Sequence, residues 1–358
     1  IGFSNNEVVI DEIKTSSNSS TLKGLSMVKA KGQVKEGGTK LTNFNGEVFV
    51  TLYDKPTIEV TKGTEGTLPF TYSQWQNILF SGRATATNGE FEVNFVMPRN
   101  VDAVPSTGKL SLYATSSNQD AFGSFSNFLI GGIEPQPAID STPPEITLFL
   151  GDTTYVAGGV VGPSTNLVAR LFDESGLATT SLIPTNNMVA VLDNQHRFVV
   201  NDYYISEKDN YKKGLLIYPL DTLKKGWHSL SLTVSDTHNN TSTKTIDFVV
   251  SDGNQIRISE FYNFPNPVTE ATRFRFTHSR PGENLLATII IYNSQGQIVH
   301  SQEHEIKESQ YQVTLDEWNG KNPDGRKLSN GLYIARLFVR SVADGSNNEL
   351  AARLIIMN

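Results

Sequence analysis

The feature that most constrains this chain is a two-residue alternation of bulky apolar and polar side chains that recurs along its length. Phe91, Val93 and Phe95 alternate with Glu92 and Asn94; Leu230, Leu232 and Val234 alternate with Ser229, Ser231 and Thr233; Phe274 and Phe276 alternate with Arg273, Arg275 and Thr277. Successive side chains of a strand point to opposite faces, so each pattern predicts a strand with one face buried and one wet. Apolar spacings of three and four, which a helix needs, are not sustained beyond two turns. Asn45-Gly46, Asn88-Gly89, Asn319-Gly320 and Asn330-Gly331 fall between such runs, and Asn-Gly accepts the positive φ of a tight hairpin. The chain reads as all-β, built of many short strands.

At 358 residues it exceeds one ordinary domain, for which about 150 residues is the usual allowance. From Gly131 to Pro144 the sequence is GGIEPQPAIDSTPP, where prolines and paired glycines suppress helix and central strand, as in a linker. A softer break is expected at Ser251 to Gln255 (SDGNQ). Three modules follow, 1–132, 145–251 and 256–358, each near the ~100 residues of an immunoglobulin-like sandwich. The predicted fold class is therefore all-β, with tandem immunoglobulin-like β-sandwich modules. Trp75, Trp227 and Trp318 divide one per module, and each is expected to anchor a core. The polar segment Thr61 to Gln76 reads as an inserted loop of the first module. Tyr203, Tyr204, Tyr211 and Tyr218 read as packing residues.

Composition removes several function classes. A net charge of −7 and a pI near 5.5 leave no diffuse cationic field for nucleic acid or anionic lipid. Cysteine is absent, which excludes disulfides, thiolate metal sites and a cysteine nucleophile within these residues. The apolar runs Leu285 to Tyr292 and Leu354 to Met357 fall far short of the ~20 residues of a membrane-spanning helix. The chain opens on Ile1 without an initiator methionine or a targeting pattern, and is expected to be a mature or excised piece of something larger.

Catalytic patterns are equally scarce. None of the six histidines, at 196, 228, 238, 278, 300 and 304, lies in a Gly-x-Ser-x-Gly elbow or a His-Glu-x-x-His pattern. His300 and His304 are expected on one strand face about 13 Å apart, too far for one metal ion. No cofactor is expected. Calcium is the one ion that the loop carboxylates would suit, at Asp173, Glu174 and Asp236 or at Asp316 and Asp324. Without an Asp-x-Asp-x-Asp-Gly loop these read first as turn caps. Asn187 and Asn239-Asn240 read as turn residues.

The last module carries the most specific string. Phe264-Pro265-Asn266-Pro267-Val268 is followed by TIIIYNSQG (288–296), then WNGKNPDGRKLSNGLYIARL (318–337), and the chain closes on 350–357. Prolines should pin an extended opening segment, and Asn293 to Gly296, Pro323-Asp324-Gly325 and Asn330-Gly331 should set successive turns. The string resembles the C-terminal signal domain of proteins exported by the bacterial type IX secretion system, over essentially all of 256–358. A related fold in flagellar hook scaffolding proteins shares the WNG-type turn. Upstream, TPPEITLFL (142–150), ARLFDESGL (169–177), YKKGLLIYPLDTLKKGWHSLSLTVSDTHNN (211–240), FNGEVFVTLYDKP and LFSGRATATNGEFEVNFVMP look like the region behind the protease domain of type IX secretion sortases, gingipain-like cysteine proteases. One departure is visible: Thr185, Asn186 and Asn187 stand where the family has a Gly-His-containing segment.

The resemblance implies a non-catalytic region of a cell-surface sortase, with the Cys and His machinery ahead of Ile1. The parent would cleave signal domains from exported cargo and attach the cargo to anionic lipopolysaccharide. Its signal domain would be retained, docking the protease through 256–358 onto an outer-membrane β-barrel protein of the PorV type. The upstream protease domain and exported cargo are the other implied partners, and the location is the bacterial cell surface, associated with the outer membrane. Expected docking residues are Phe264, Pro265, Asn266, Pro267, Trp318, Asn319, Gly320, Gly331 and Tyr333. The alternative is an adhesin or sugar-binding set of β-modules from another type IX cargo protein, with specificity in Thr61 to Gln76.

Overall fold

The computed structural model describes residues 6–64, 66–155, 157–179, 186–251 and 255–357. Thr185 and residues 252–254 of the expected second break lie outside them. Among the described residues the regular structure is strand apart from short 3-10 turns such as Asn201–Tyr203, so the all-β class holds. The chain divides into two compact units. The first comprises Ile1–Thr147, Ala169–Ile217 and Ser231–Lys244; the second comprises Leu148–Val168, Tyr218–Leu230 and Thr245–Asn358.

In the first unit the main sheet runs, neighbour to neighbour, Thr39–Lys40, Met27–Glu36, Asn6–Thr15, Asp120–Phe125, Lys109–Thr115, Gly46–Tyr53 and Ile78–Ala86, with Glu90–Val96 also paired to Met27–Glu36. Only Asn6–Thr15 and Asp120–Phe125 pair in parallel within it. A smaller sheet joins Ser106–Thr107, Leu129–Ile133 and Thr21–Gly24, and sends Leu22 and Ile130 into the same core. Phe91, Val93 and Phe95 all face inward, as their alternation requires, and Phe95 stacks on Phe80 with ring centroids 4.2 Å apart. Burying one such side chain contributes roughly 1.5–3 kcal/mol, which makes this alternation the main determinant of strand register.

Two of the Asn-Gly pairs do different jobs. At Asn88-Gly89 both residues have positive φ, 51° and 76°, and Thr87 and Glu90 exchange backbone hydrogen bonds of 2.9 and 3.0 Å, the expected tight hairpin. A Cβ on Gly89 would also lie 2.4 Å from the Leu41 carbonyl oxygen. Asn45-Gly46 is not a hairpin: Gly46 opens the strand Gly46–Tyr53, and its missing Cβ makes room for the Thr115 carbonyl. The Asn45 side chain instead accepts the Asn88 amide at 3.0 Å.

The expected linker is shorter than its sequence suggests. Gly131 and Gly132 lie inside the strand Leu129–Ile133, where Gly131 packs against Pro105, so the non-strand stretch begins at Glu134. The following segment is tied down, because His238 bonds the Ala138 carbonyl at 3.0 Å and Asn240 donates to the Asp140 carbonyl at 3.2 Å. The segment Thr61 to Gln76 belongs to a hairpin arm in which Thr57–Val60 pairs with Thr71–Gln74, leaving Ile58, Leu68 and Phe70 exposed.

The second unit ends in a sandwich of seven strands. One sheet has the order Ile258–Phe264, Thr272–His278, Gln312–Trp318; the other has Ile298–Ile306, Leu285–Tyr292, Gly331–Ser341, Asn347–Ile356. Both contribute to one core, with Phe274, Phe276 and Trp318 facing Ile289, Leu337 and Leu354. Seven antiparallel strands in two layers over about 100 residues is the immunoglobulin-like arrangement. Two of the expected turns form: Gly296 donates to the Asn293 carbonyl at 3.0 Å, and Gly325 to the Asn322 carbonyl at 3.0 Å, whereas Asn330-Gly331 is a bend from which Gly331 opens the next strand.

Tryptophan is where the core reading fails. Trp318 is buried, but Trp227 is 75% exposed and Trp75 lies half-buried at the surface, under the Lys109 ammonium at 5.2 Å. Leu230, Leu232 and Val234 fix the inward parity of Gly226–Ser235, and Trp227 is out of phase with them, so the pleat turns it to solvent. The tyrosines also divide, with Tyr204 buried and Tyr203 exposed. We predict that Phe95→Ala destabilises the protein by about 3–5 kcal/mol. Urea unfolding measures this, and a loss below about 1 kcal/mol contradicts the packing described.

Candidate functional site

The residues singled out in the last module come together at one end of its sandwich, in two layers. Trp318 lies in the core against Phe274 and His300, with ring centroids 6.3 and 5.3 Å away, and its indole N–H donates to the Lys321 carbonyl at 3.0 Å. Asn319 accepts the Lys321 amide at 3.3 Å, and Gly320 has φ 70°. Tyr333 is buried too, with its hydroxyl donating to the Ser329 carbonyl at 2.9 Å. Gly331 opens the strand that pairs with the C-terminal strand, opposite Ile356. The WNG and NGLY residues thus shape the chain reversals that return Gly331–Ser341 to its sheet.

The Phe-Pro-Asn-Pro-Val segment does something else. Phe264 ends the strand Ile258–Phe264 and is 67% exposed, and Pro265, Asn266 and Pro267 follow it outside any strand. The Pro265 carbonyl is held by the Thr272 hydroxyl at 2.8 Å and the Asn263 amide at 3.1 Å. Asn266 accepts the Ile355 N–H at 3.0 Å and donates to the Arg353 carbonyl at 3.0 Å. Val268 then exchanges backbone bonds with the same strand, donating to Ile355 and accepting from Met357, both at 2.8 Å. The segment stitches itself along the outer edge of Asn347–Ile356, giving partners to backbone groups that an edge strand otherwise leaves open.

With that edge covered, the outward face of the four-stranded sheet carries an apolar corner. Leu332 is 54% exposed and sits directly across from Ile355; Ile334 is opposite Arg353 on one side and Tyr292 on the other; Ile298 is opposite Tyr292. Arg336 borders the corner and pairs with Glu349. These residues were missed by motif reading. The available signal was parity, since Leu332 and Ile334 are apolar at positions that alternate with the buried Tyr333, Ala335 and Leu337.

The other free edge, Ile298–Ile306, is lined with Ser301, Gln302, Glu303 and Glu305, a composition that resists strand addition. On this strand His300 and His304 both face the inner layer, opposite Ile291 and Ala287, and His304 lies 3.7 Å from Asp316. Burial lowers the affinity of His300 for a proton. His278 is fully buried with one ring nitrogen against the Gln310 carbonyl at 2.7 Å, and burial pushes it down to about 4.

In the first unit, ligand-type atoms of Asp140, Asp236 and His238 lie within 4.8 Å of one another. Asp140 comes from the proline-rich segment, a hundred residues distant, so no local spacing reveals it. Asp236 accepts from the amides of His238 and Asn240 and from the Asn240 side chain at 2.7–2.9 Å, and His238 is engaged by Ala138 and Thr237. The group works as a hub that ties the 236–240 turn to the proline segment. Of the other carboxylates named from sequence, Glu174 pairs with Lys212 at 2.6 Å, Asp173 caps Ser175 at 2.8 Å, and Asp324 sits in its turn. Burial pushes Asp173 up to about 6, helped by the charges of Asp236 and Asp140.

The family of secretion system C-terminal sorting domains matches residues 263–356. No curated protein matches the chain. Among solved structures, dimeric latent PorU from Porphyromonas gingivalis is 27% identical over 99% of this chain and 34% of that one, with a TM-score of 0.43. The fibronectin(III)-like modules of Clostridium thermocellum CbhA are 10% identical over 59% of this chain and 94% of that one, TM-score 0.23. The FN1–FN3 domains of chicken CNTN1 are 8% identical over 99% of both chains, TM-score 0.22. This chain spans about a third of the PorU length.

The two buried groups predict opposite pH responses. Between about pH 4 and 6 folded Asp173 keeps a proton that the unfolded carboxyl has lost, so it makes the fold less stable as pH rises. His278 resists a proton that the unfolded imidazole takes up below about 6.5, so its contribution is lost as pH falls. Stability against pH, measured for wild type, Asp173→Asn and His278→Gln, checks both. The Asn variant should lose the falling component and the Gln variant the rising one, and wild-type slopes in both contradict the assignments. Residues 263–356 match the secretion system C-terminal sorting domains, and the chain that carries them is similar to PorU along 99% of its length.

Proposed function

We propose that this chain is the non-catalytic C-terminal region of a cell-surface type IX secretion sortase. Residues 1–132 and 145–251 serve as spacer modules, and 256–358 is a retained signal domain that docks the protease on an outer-membrane β-barrel partner of the PorV kind. The parent cleaves signal domains from cargo and attaches the cargo to anionic lipopolysaccharide, with its cysteine chemistry in an upstream domain. The observation that carries this reading is the sorting-domain match at 263–356. The coarser role, export by a secretion system that delivers proteins to the cell surface, follows from the same match.

The geometry favours docking by a face over docking by strand addition. One edge of the four-stranded sheet is occupied at its end by Asn266 and Val268, and the other presents Glu303 and Glu305. Leu332, Ile334, Ile355 and Ile298 offer exposed apolar surface on one sheet face, and Phe264 is exposed at the end of its own strand, while buried Trp318 and Tyr333 hold the turns at that end of the sandwich. An exposed apolar patch with a charged rim is what a protein partner desolvates on binding. The 358-residue chain, immobilised and exposed to detergent-solubilised outer membranes of a type IX-secreting bacterium, should capture a β-barrel protein. Leu332→Asp with Ile355→Asp should reduce capture at least tenfold at unchanged thermal stability. Capture of no barrel, or equal capture by the variant, overturns the reading.

A further inference from the structure

The main sheet of the first unit presents its outward face to solvent, and three aromatic rings cross it in a row. Phe49, Tyr113 and Phe122 lie on adjacent strands in direct register, with ring centroids 5.9 Å apart for the first pair and 5.2 Å for the second. They are 37%, 37% and 56% exposed, while their strand neighbours Val48, Val50, Leu112 and Ala121 fill the core behind them. Cross-strand aromatic pairs add modestly to the stability of a sheet. That gain does not require three in line on the wet face, nor what surrounds them.

On one side of the aromatic row runs a row of hydroxyls, Ser81, Thr51, Ser111 and Ser124, each opposite the next. On the other side Glu47 lies opposite Thr115, and Thr115 opposite Asp120. The row ends at Arg83, whose guanidinium donates to the Ser206 carbonyl at 2.8 and 2.9 Å and pairs with Glu47 at 3.1 Å. The strip is therefore aromatic along its middle, with rings tilted by 33° and 35° to one another, hydrogen-bonding along both flanks and closed at one end.

We propose that this strip binds a neutral glycan chain laid across the strands, with the apolar faces of successive sugar rings on Phe49, Tyr113 and Phe122. A sugar ring combines an apolar C–H face with a rim of hydroxyls, and the strip offers the complement of both. A lipid or an apolar protein surface would desolvate the hydroxyl rows without replacing their hydrogen bonds, which is unfavourable for each group. The ring-to-ring steps are of the order of one sugar residue. Charges of both signs border the strip, Glu47 and Asp120 against Arg83 and Lys109, and provide no field for a polyanion. The site lies apart from residues 256–358 and does not depend on the docking role proposed for them.

Native electrophoresis of the 358-residue chain through gels containing yeast mannan, mixed-linkage β-glucan or dextran, with dextran sulfate as the polyanionic arm, tests the site. At least one neutral polysaccharide should retard migration. Phe122→Ala should weaken that retardation about tenfold, the equivalent of one lost stacking contact, while lowering the melting temperature by no more than the few degrees that one cross-strand aromatic pair supports, and Phe122→Trp should restore it. Unchanged migration in every neutral gel overturns the proposal, as does retardation by dextran sulfate alone. Retardation that survives Phe122→Ala and Tyr113→Ala also overturns it.

Discussion

The backbone of the strand Asn347–Ile356 is the element on which the sorting domain depends, because it sits at the edge of its sheet. A last strand with one open edge invites pairing with any other exposed strand. Here one side is bonded along Gly331–Ser341, and the other is taken near its end by Asn266 and Val268 from the opposite sheet. The link joins the two layers of the sandwich at the corner where Leu332 and Ile355 are exposed. Its geometry traces to sequence in a direct way. Pro265 and Pro267 lack amide hydrogens and cannot extend the ladder, so the donors and acceptors that reach the C-terminal strand come from the side chain of Asn266 and the backbone of Val268.

Polar clusters elsewhere serve comparable ends. Asp236 and His238 hold the proline-rich segment after the first sheet through Ala138 and Asn240, and Arg83 holds the carbonyl of Ser206. Buried polar groups are tolerable when their bonding capacity is met, and Asp236 meets both its oxygens with N–H donors. These contacts explain why the stretch from Glu134 to Pro144, which holds four prolines, is fixed in place without secondary structure of its own.

Much of the fold was legible because a period of two is simple and strongly enforced. Each strand named from alternation has its apolar set inside, and the turns at Asn88-Gly89, Asn293–Gly296 and Pro323–Gly325 formed as composition required. What escaped has physical reasons. Gly46 and Gly131 were read as turn and linker glycines, but each serves a close backbone approach, which depends on a neighbour distant in sequence. Trp227 was expected in the core on residue type, although the parity set by Leu230 already placed it outside. Asp140 joined a cluster through a contact that no local spacing encodes. The motif residues of the last module were visible as a group, but their division into buried turn-setters and an edge-covering segment required the sheet order.

The closure of that last edge is what holds the two layers of the sorting domain together at this corner. Amide hydrogen exchange at Ile355 and Met357, the two N–H groups bonded to Asn266 and Val268, tests it most directly. Protection at both sites comparable to that of Leu354, whose strand bonds to Tyr333, is the predicted result. Exchange at the rate of an open edge, with Leu354 still protected, would show that the Phe-Pro-Asn-Pro-Val segment does not cover the strand and would contradict the structure proposed for the sorting domain.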